Sequence, residues 1–341
     1  MQFNRKELIK SLEIAGRGLA RKNVIEILSH YFFNGEEVYA STIDTFVSTP
    51  LKTDFKAAVP AKQVLSFLKT LDSETVNFDI KDDELVVGFR NTTLKVQLGN
   101  YDNAPQWPEA TNIEIKLPCD SEKFIHVLSI CSNFVSKDLT RVTLTGINLV
   151  TDNGILFAQA TDARRLIRLP LGECSENIDI IIPIDVVKSL SKEEIAEVFT
   201  NGRHISFKTK AGNKYLFSLI SATFPNTKIV LDKITDGKTV EFPVDIVDKI
   251  KRASIIVSAS SGAVELTITD NSCTITSSNN SSEIVDKFAV KSEEDKKFTL
   301  NAKYAEEFFK LNNVIKYSEL NSPITLEILG GIAILMPLLT E

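Results

Sequence analysis

Few residues of this 341-residue chain have the types and spacing that chemistry requires. Hydrolysis needs a nucleophile, a base and a group that orients the base. Histidine occurs only at His30, His126 and His204. Each falls in a stretch with strand or helix periodicity, and no Asp or Ser signature accompanies it. No Gly-x-Ser-x-Gly, Walker loop, Rossmann glycine pattern or His-Glu-x-x-His occurs. Cys119, Cys131, Cys174 and Cys273 are scattered without a Cys-x-x-Cys pair. The expectation is therefore reduced thiols, no disulfide framework and no zinc site. Asp162, in Thr161-Asp162-Ala163-Arg164-Arg165, has the type of a metal carboxylate. An Asp at a strand end before a turn more commonly accepts hydrogen bonds from its own backbone. The expectation is no catalysis, no metal and no cofactor.

Basic residues say more. Lys10 and Arg17 fall in the first helical stretch, with Arg21 and Lys22 just beyond. Lys137 and Arg141 follow the middle one, and Lys249 and Arg252 lie in the last. A phosphate-facing surface that holds DNA without reading its sequence needs such groups. Solvated helix faces are the ordinary alternative. The net charge of −6 speaks against a wholly basic footprint, although an acidic exterior with one basic concave face has the same total.

The elements that position these residues come in three copies. Each copy opens with an amphipathic helix: Leu8, Leu12, Ala15 and Leu19; then Phe124, Val127, Leu128, Cys131 and Val135 behind Asp120; then Ile246, Ile250, Ala253 and Val257 after Pro243. Steps of three and four put each set on one helix face. A strand pair follows each helix across a turn, at Asn34-Gly35, Asn153-Gly154 and Asp270-Asn271, residue types that tolerate positive φ. A second helix spans Pro60 to Leu71, Pro183 to Leu190 and Asn301 to Leu311. A closing hairpin then pairs Thr75–Ile80 with Leu85–Phe89, His204–Thr209 with Tyr215–Leu219, and Pro323–Ile328 with Ile332–Met336. In this alignment the copy of Asp162 in the first repeat is Asp44.

The fold class is thus α+β, with two helices on antiparallel sheets per repeat and three repeats in tandem. The cuts fall near Leu117-Pro118 and Lys233–Lys238, giving domains 1–117, 118–235 and 236–341. A curved array is the economical arrangement. Apolar residues at 43% and charged residues at 25% are ordinary for a soluble chain. The opening Met-Gln-Phe-Asn-Arg-Lys-Glu lacks the apolar run of a signal peptide, so a cytoplasmic protein is expected.

The stretch from Arg141 to Leu166 resembles the middle domain of the bacterial β sliding clamps, the processivity subunits of replicative DNA polymerases. That family shows Leu-x-Gly-apolar and then a strand ending Ala-Thr-Asp-Gly-(His/Tyr)-Arg-Leu. Further likenesses follow in family order. They are Asn23 to Leu28, Trp107-Pro108, Phe224-Pro225 after Phe217-Ser218-Leu219-Ile220, Asn301-Ala302-Lys303-Tyr304, and Leu335-Met336-Pro337-Leu338. Together they cover essentially the whole chain.

The resemblance implies the DNA-clamp fold repeated three times and a head-to-tail dimer closing into a six-domain ring around duplex DNA. Helices would line the hole. The basic residues above would face DNA, and Leu94 and Val96 would mark the dimer edge. It also implies a pocket for short peptides borne by the polymerase catalytic subunit, the clamp loader and other partners. The floor of that pocket is Leu144, Thr161, Ala163, Arg164, Arg165 and Leu166. Its remainder is Pro225, Ile229, Val230, Ile334, Met336, Pro337 and Leu338. The sequence departs from the family pattern at Ala163 (Gly in the family), Arg164 (His or Tyr), Ile229 (often basic), Glu26 (Pro) and Leu339 (basic). A clamp-like scaffold that binds peptides without encircling DNA is the alternative function.

Overall fold

The computed structural model describes residues 1–20, 25–107, 113–234, 237–257, 262–318 and 322–338. Among these the strands in chain order are β1 (Gln2–Asn4), β2 (His30–Phe33), β3 (Glu37–Ser41), β4 (Thr45–Pro50), β5 (Ala57–Pro60), β6 (Thr75–Lys81), β7 (Glu84–Phe89), β8 (Thr92–Gln97), β9 (Ile113–Glu114), β10 (Gly146–Asp152), β11 (Ile155–Thr161), β12 (Arg165–Glu173) and β13 (Asp179–Pro183). They continue with β14 (Ile195–Thr200), β15 (His204–Thr209), β16 (Lys214–Ser218), β17 (Lys238–Glu241), β18 (Ala263–Thr269), β19 (Ser272–Ser278), β20 (Glu283–Ala289), β21 (Lys291–Ser292), β22 (Lys296–Asn301), β23 (Val314–Tyr317), β24 (Ile324–Ile328) and β25 (Gly331–Leu335). The helices are α1 (Arg5–Ala15), α2 (Ala61–Thr70), α3 (Ser121–Cys131), α4 (Asp185–Leu190), α5 (Lys228–Leu231), α6 (Ile246–Ala253) and α7 (Ala302–Phe309).

Two helices, α1 and α7, begin at side-chain caps. The Asn4 carboxamide accepts the Lys6 and Glu7 amides at 3.0 and 3.2 Å, and Asn301 accepts the Tyr304 amide at 3.1 Å. Such caps satisfy donors that have no intrahelical partner. Pro60 stands at the cap position of α2, where a missing N–H costs nothing. Leu8, Leu12 and Ala15 of α1, Phe124, Val127, Leu128 and Cys131 of α3, and Ile246, Ile250 and Ala253 of α6 are all buried. Leu19 and Val257 lie beyond their helices and are only half-buried. The predicted turns adopt the left-handed backbone their residues permit, with Asn153 at φ 50°, Gly154 at 76°, Asp270 at 49° and Asn271 at 59°.

Compactness divides the chain differently from the repeats. One unit holds Met1–Glu122 with Asp185–Leu219, and the other holds Lys123–Ile184 with Ile220–Glu341. The cause is strand pairing across repeats. In the first unit β4 joins β16 antiparallel, with Phe46 opposite Leu216. The resulting eight-stranded sheet has the order β5-β2-β3-β4-β16-β15-β14-β9 among the described residues. In the second unit β12 joins β25, with Leu166 opposite Ile334. Its nine-stranded sheet runs β13-β10-β11-β12-β25-β24-β23-β17-β21.

Each unit also carries a four-stranded sheet, β1-β6-β7-β8 in the first and β20-β19-β18-β22 in the second. β8 is therefore an edge strand of its sheet. Its side chains show where Leu94 and Val96, the residues expected at the dimer edge, lie in the single chain. Val96 is 7% exposed and Leu94 packs against the core of its own unit. Thr92, Thr93, Lys95 and Gln97 are the exposed residues of the strand.

Candidate functional site

The turn between β11 and β12 is built by its own side chains. The Thr161 hydroxyl donates to the Arg165 carbonyl at 2.6 Å and accepts the Ala163 amide at 3.1 Å. One Asp162 oxygen accepts the amides of Arg164 and Arg165 at 3.0 and 3.1 Å. This is a side-chain-capped turn, and it makes Asp162 a backbone acceptor. No group of three or more metal-ligating side chains occurs among the described residues.

In the first unit Thr42 does the same work, accepting the amides of Asp44 and Thr45 at 3.2 and 2.9 Å. The structural counterpart of Asp162 is thus Thr42, and the sequence alignment to Asp44 was two residues out. Ala163 sits at φ 71°. A Cβ there opposes the following carbonyl oxygen, so the turn holds a strained residue where glycine would rest.

Successive residues of β12 point to opposite faces. Arg165 points toward the helices. Its guanidinium donates to Asp162 at 3.0 Å, to the Asn133 carbonyl at 2.6 Å and to Glu307. It lies between the rings of Phe134 and Tyr304 at 4.8 and 4.4 Å, and only 4% of the side chain is exposed. Arg165 is therefore a strut on the far side of the sheet, which corrects its assignment to the pocket floor. Alternation, visible only once the register is known, sends it there.

The other face of β12 carries Leu166 and Arg168. Leu166 stands opposite Thr161 on one side and Ile334 on the other. The Met336 amide donates to the Arg164 carbonyl at 3.0 Å. This bond brings the chain end to the turn and leaves the Met336 side chain 40% exposed. Pro337 and Leu338 are half-buried. Pro225 and Ile229 are exposed and Val230 half-buried. Their segment is tied down by the buried Thr227 hydroxyl, which donates to Gln159 at 3.0 Å. Leu144 is buried in the short 3-10 turn ahead of β10. Ala163 and Arg164 are exposed at the tip of the turn. Leu166, Ile334, Met336 and the Arg164 backbone thus converge directly.

On the same face, one row further along β12, lies a polar network that sequence reasoning missed. Gln159 stands opposite Asn148 on one side and Arg168 on the other. Gln159 donates to Asn148 at 2.7 Å, and Asn148 donates to Asp179 at 2.8 Å. Arg168 donates to Asp152 at 2.7 Å and lies 4.1 Å from the Phe157 ring centre. Lys228 reaches the second oxygen of Asp152 at 2.8 Å. The hydrogen bond from Lys228, with the Arg168 charge added, holds the Asp152 carboxyl below the usual carboxylate range. These groups line an open cavity of about 260 Å³. The available signal was the presence of polar residues at alternate positions of otherwise apolar strands.

The corresponding face of the first unit is filled by its own side chains. Phe32, Tyr39, Phe46 and Trp107 form a column with ring centres 5.1, 4.8 and 5.0 Å apart. Trp107 caps Phe46, the residue placed like Leu166.

The basic residues separate into groups. Lys10 and Lys137 are exposed. Arg141 and Arg252 are exposed but paired, with Asp138 at 3.7 Å and Asp286 at 2.8 Å. Lys249 is 13% exposed, pairs with Asp245 at 3.1 Å and lies over Phe288. Arg17 donates to Glu193 at 2.6 Å, to the Ser189 carbonyl at 2.7 Å and to the Tyr215 hydroxyl at 2.8 Å. It therefore braces the first unit and is not free for a phosphate, which corrects its DNA-facing role. Arg21 and Lys22 lie outside the described residues.

No protein-family model matches the chain. Its sequence is 27% identical to the β sliding clamp of Mycoplasma capricolum over 252 residues, covering 67% of this chain and 66% of that protein. It is 21% identical to the β sliding clamp of Chlamydia muridarum, covering 80% and 79%. Among solved structures, the sliding clamp of Bartonella birtlesii bound to griselimycin superposes with a TM-score of 0.90 at 21% identity, covering 100% of this chain and 99% of that one. The fold is that of the sliding clamps. By fold and sequence together, the chain is a divergent relative of the bacterial β clamps.

Proposed function

We propose that this protein is a DNA sliding clamp, a non-catalytic ring that tethers the replicative DNA polymerase and other proteins to duplex DNA. The observation that carries this reading is the match of the clamp fold over the full length of the chain. The three repeats act as domains 1–117, 118–235 and 236–341. Two chains close head to tail through the edge strands β8 of the first unit and β20 of the second, each of which leaves backbone donors and acceptors unpaired.

Weak, sequence-indifferent contacts to phosphates suffice for such a ring, because topology holds the DNA. Exposed Lys10 and Lys137 supply such contacts. Partners dock short extended peptides with apolar anchors at the exposed Met336, over the buried Leu166 and Ile334 and against Pro225, Ile229 and Val230. Methionine there suits varied side chains because its thioether is flexible and polarisable. The polymerase catalytic subunit and the clamp loader are the expected carriers of these peptides. The site of action is the cytoplasm, and among the described residues no helix is long and apolar enough to cross a membrane.

Mass and shape in solution test the reading. A sedimenting species of twice the 37.9 kDa chain mass with a ring-like frictional ratio is expected at micromolar concentration. A monomer under those conditions would overturn it.

A further inference from the structure

We infer that the first unit carries a ligand site of its own: a cleft beside the aromatic column that takes a proline-rich segment of a partner protein in the extended polyproline conformation. The cleft lies wholly within the first unit and shares no residue with the peptide surface around Met336.

The column does not fill its face completely. A cavity of about 290 Å³ remains beside it, with Tyr39, Phe46, Pro105 and Trp107 as its apolar lining. That size is at the lower limit of ligand pockets. The rings of Tyr39 and Phe46 lie nearly parallel, 18° apart, and Trp107 stands at 84° to Phe46. The rings thus form two sides of a corner. The segment that carries Pro105 and Trp107 is fixed in advance. Asn100 accepts the Asp102 amide at 2.9 Å, and the Ala104 amide donates to the Tyr101 carbonyl at 2.9 Å. Tyr101, Ala104 and Trp107 then pack against the cluster that holds Phe32, Tyr39 and Phe46. Aromatic-lined grooves of this kind recognise proline, because the flat pyrrolidine packs on the rings and a polyproline segment is already ordered before it binds.

The polar lining, Asn34, Glu37, Gln106 and Lys214, narrows the ligand class. The side-chain N–H groups of Asn34 and Gln106 and the indole N–H of Trp107 make no hydrogen bond among the described residues. The acceptors are mostly spent. Asn34 Oδ1 accepts the amides of Glu36 and Glu37 at 3.0 and 2.8 Å, and one Glu37 oxygen accepts the Lys214 ammonium at 2.6 Å. A ligand here must bring acceptors and few donors. A proline run has a carbonyl at every residue and an N–H at none. An ordinary peptide would bury amides with nothing to receive them, which costs affinity. The Glu37–Lys214 pair balances its own charge, so a neutral segment is preferred to a charged one.

Trp107 is the only tryptophan of the chain, so its emission reads the cleft directly. A short all-proline peptide is titrated into the full-length protein, beside an alanine–serine peptide of equal length. The proline peptide is expected to shift the Trp107 emission saturably and to bind at least about tenfold more tightly than the control. A fluorescein-labelled proline peptide, read by anisotropy, then tests two variants of the half-buried Trp107. Trp107→Ala is expected to weaken it about tenfold or more. Trp107→Phe, which keeps a ring and removes the N–H, is expected to weaken it about fivefold. Met336→Ala is expected to leave it unchanged. The inference would be overturned by the absence of a saturable shift, by equal affinity for the two peptides, or by affinity indifferent to both Trp107 variants. Displacement of the proline peptide by an extended peptide with Leu and Phe anchors would also overturn it, by placing the proline peptide on the Met336 surface.

Discussion

Leu166 and Ile334 stand opposite each other on adjacent antiparallel strands, one contributed by the middle repeat and one by the last. They belong to the β12–β25 pairing, four residue pairs long, which joins two repeats into one sheet and creates an apolar floor that neither repeat has alone. The turn at Thr161–Arg165 and the bond from Met336 to Arg164 fix its upper edge. The Phe224–Lys228 segment, held by Thr227 and Lys228, adjoins its lower one.

Met336 is the exposed member of this floor, so its side chain can be altered without disturbing the core. Met336→Ala is expected to weaken an apolar-anchored peptide about tenfold with unchanged thermal stability. Titration of a fluorescein-labelled extended peptide with Leu and Phe anchors, read by anisotropy, measures the effect. Equal affinity would remove Met336 from the docking surface.

Arg165 is expected to behave as structure. Arg165→Met leaves Asp162 buried and Glu307 without its partner, and it removes a cation sandwiched by two rings. A loss of about 3 kcal/mol or more in urea unfolding is expected, by the rule that breaking a buried pair from one side strands the other charge. A loss below about 1 kcal/mol would mean that solvent reaches this site freely.

Ala163→Gly is expected to stabilise the protein. It relieves a left-handed alanine, and the gain, net of the extra freedom glycine has when unfolded, is about 0.5–1 kcal/mol. The urea midpoint should rise with an unchanged slope. A fall would show that the turn does not strain this residue.

The Asp152 carboxyl titrates below its ordinary range when folded, because Lys228 and Arg168 favour its charge. A depressed folded value means that its contribution is present above the unfolded value of about 3.9 and is lost as pH falls through the folded one. Stability measured from pH 6 downward should therefore fall less steeply below about pH 4 in Asp152→Asn than in the unaltered protein. Identical acid limbs would contradict the pairing.

The local elements were legible because local physics makes them. The i, i+3, i+4 stripe of Leu8, Leu12 and Ala15 sets α1, and Asn153-Gly154 sets the β10–β11 turn. What joins repeats was not legible. Nothing near Leu166 announces Ile334, and without that register the two faces of β12 cannot be told apart. Arg165 and Leu166 therefore looked equally available for a pocket. Arg17 was misread for a similar reason, since its acceptor Glu193 lies far along the chain. The polar row of Asn148, Gln159 and Arg168 becomes a single site only when three strands are laid side by side.

The central claim, that this chain encircles DNA, is tested most directly by topology. Labelled protein assembled on a closed circular plasmid should remain bound through extended washing and leave within minutes of a single restriction cut that linearises the circle. Equal release from circular and linear DNA would contradict the ring.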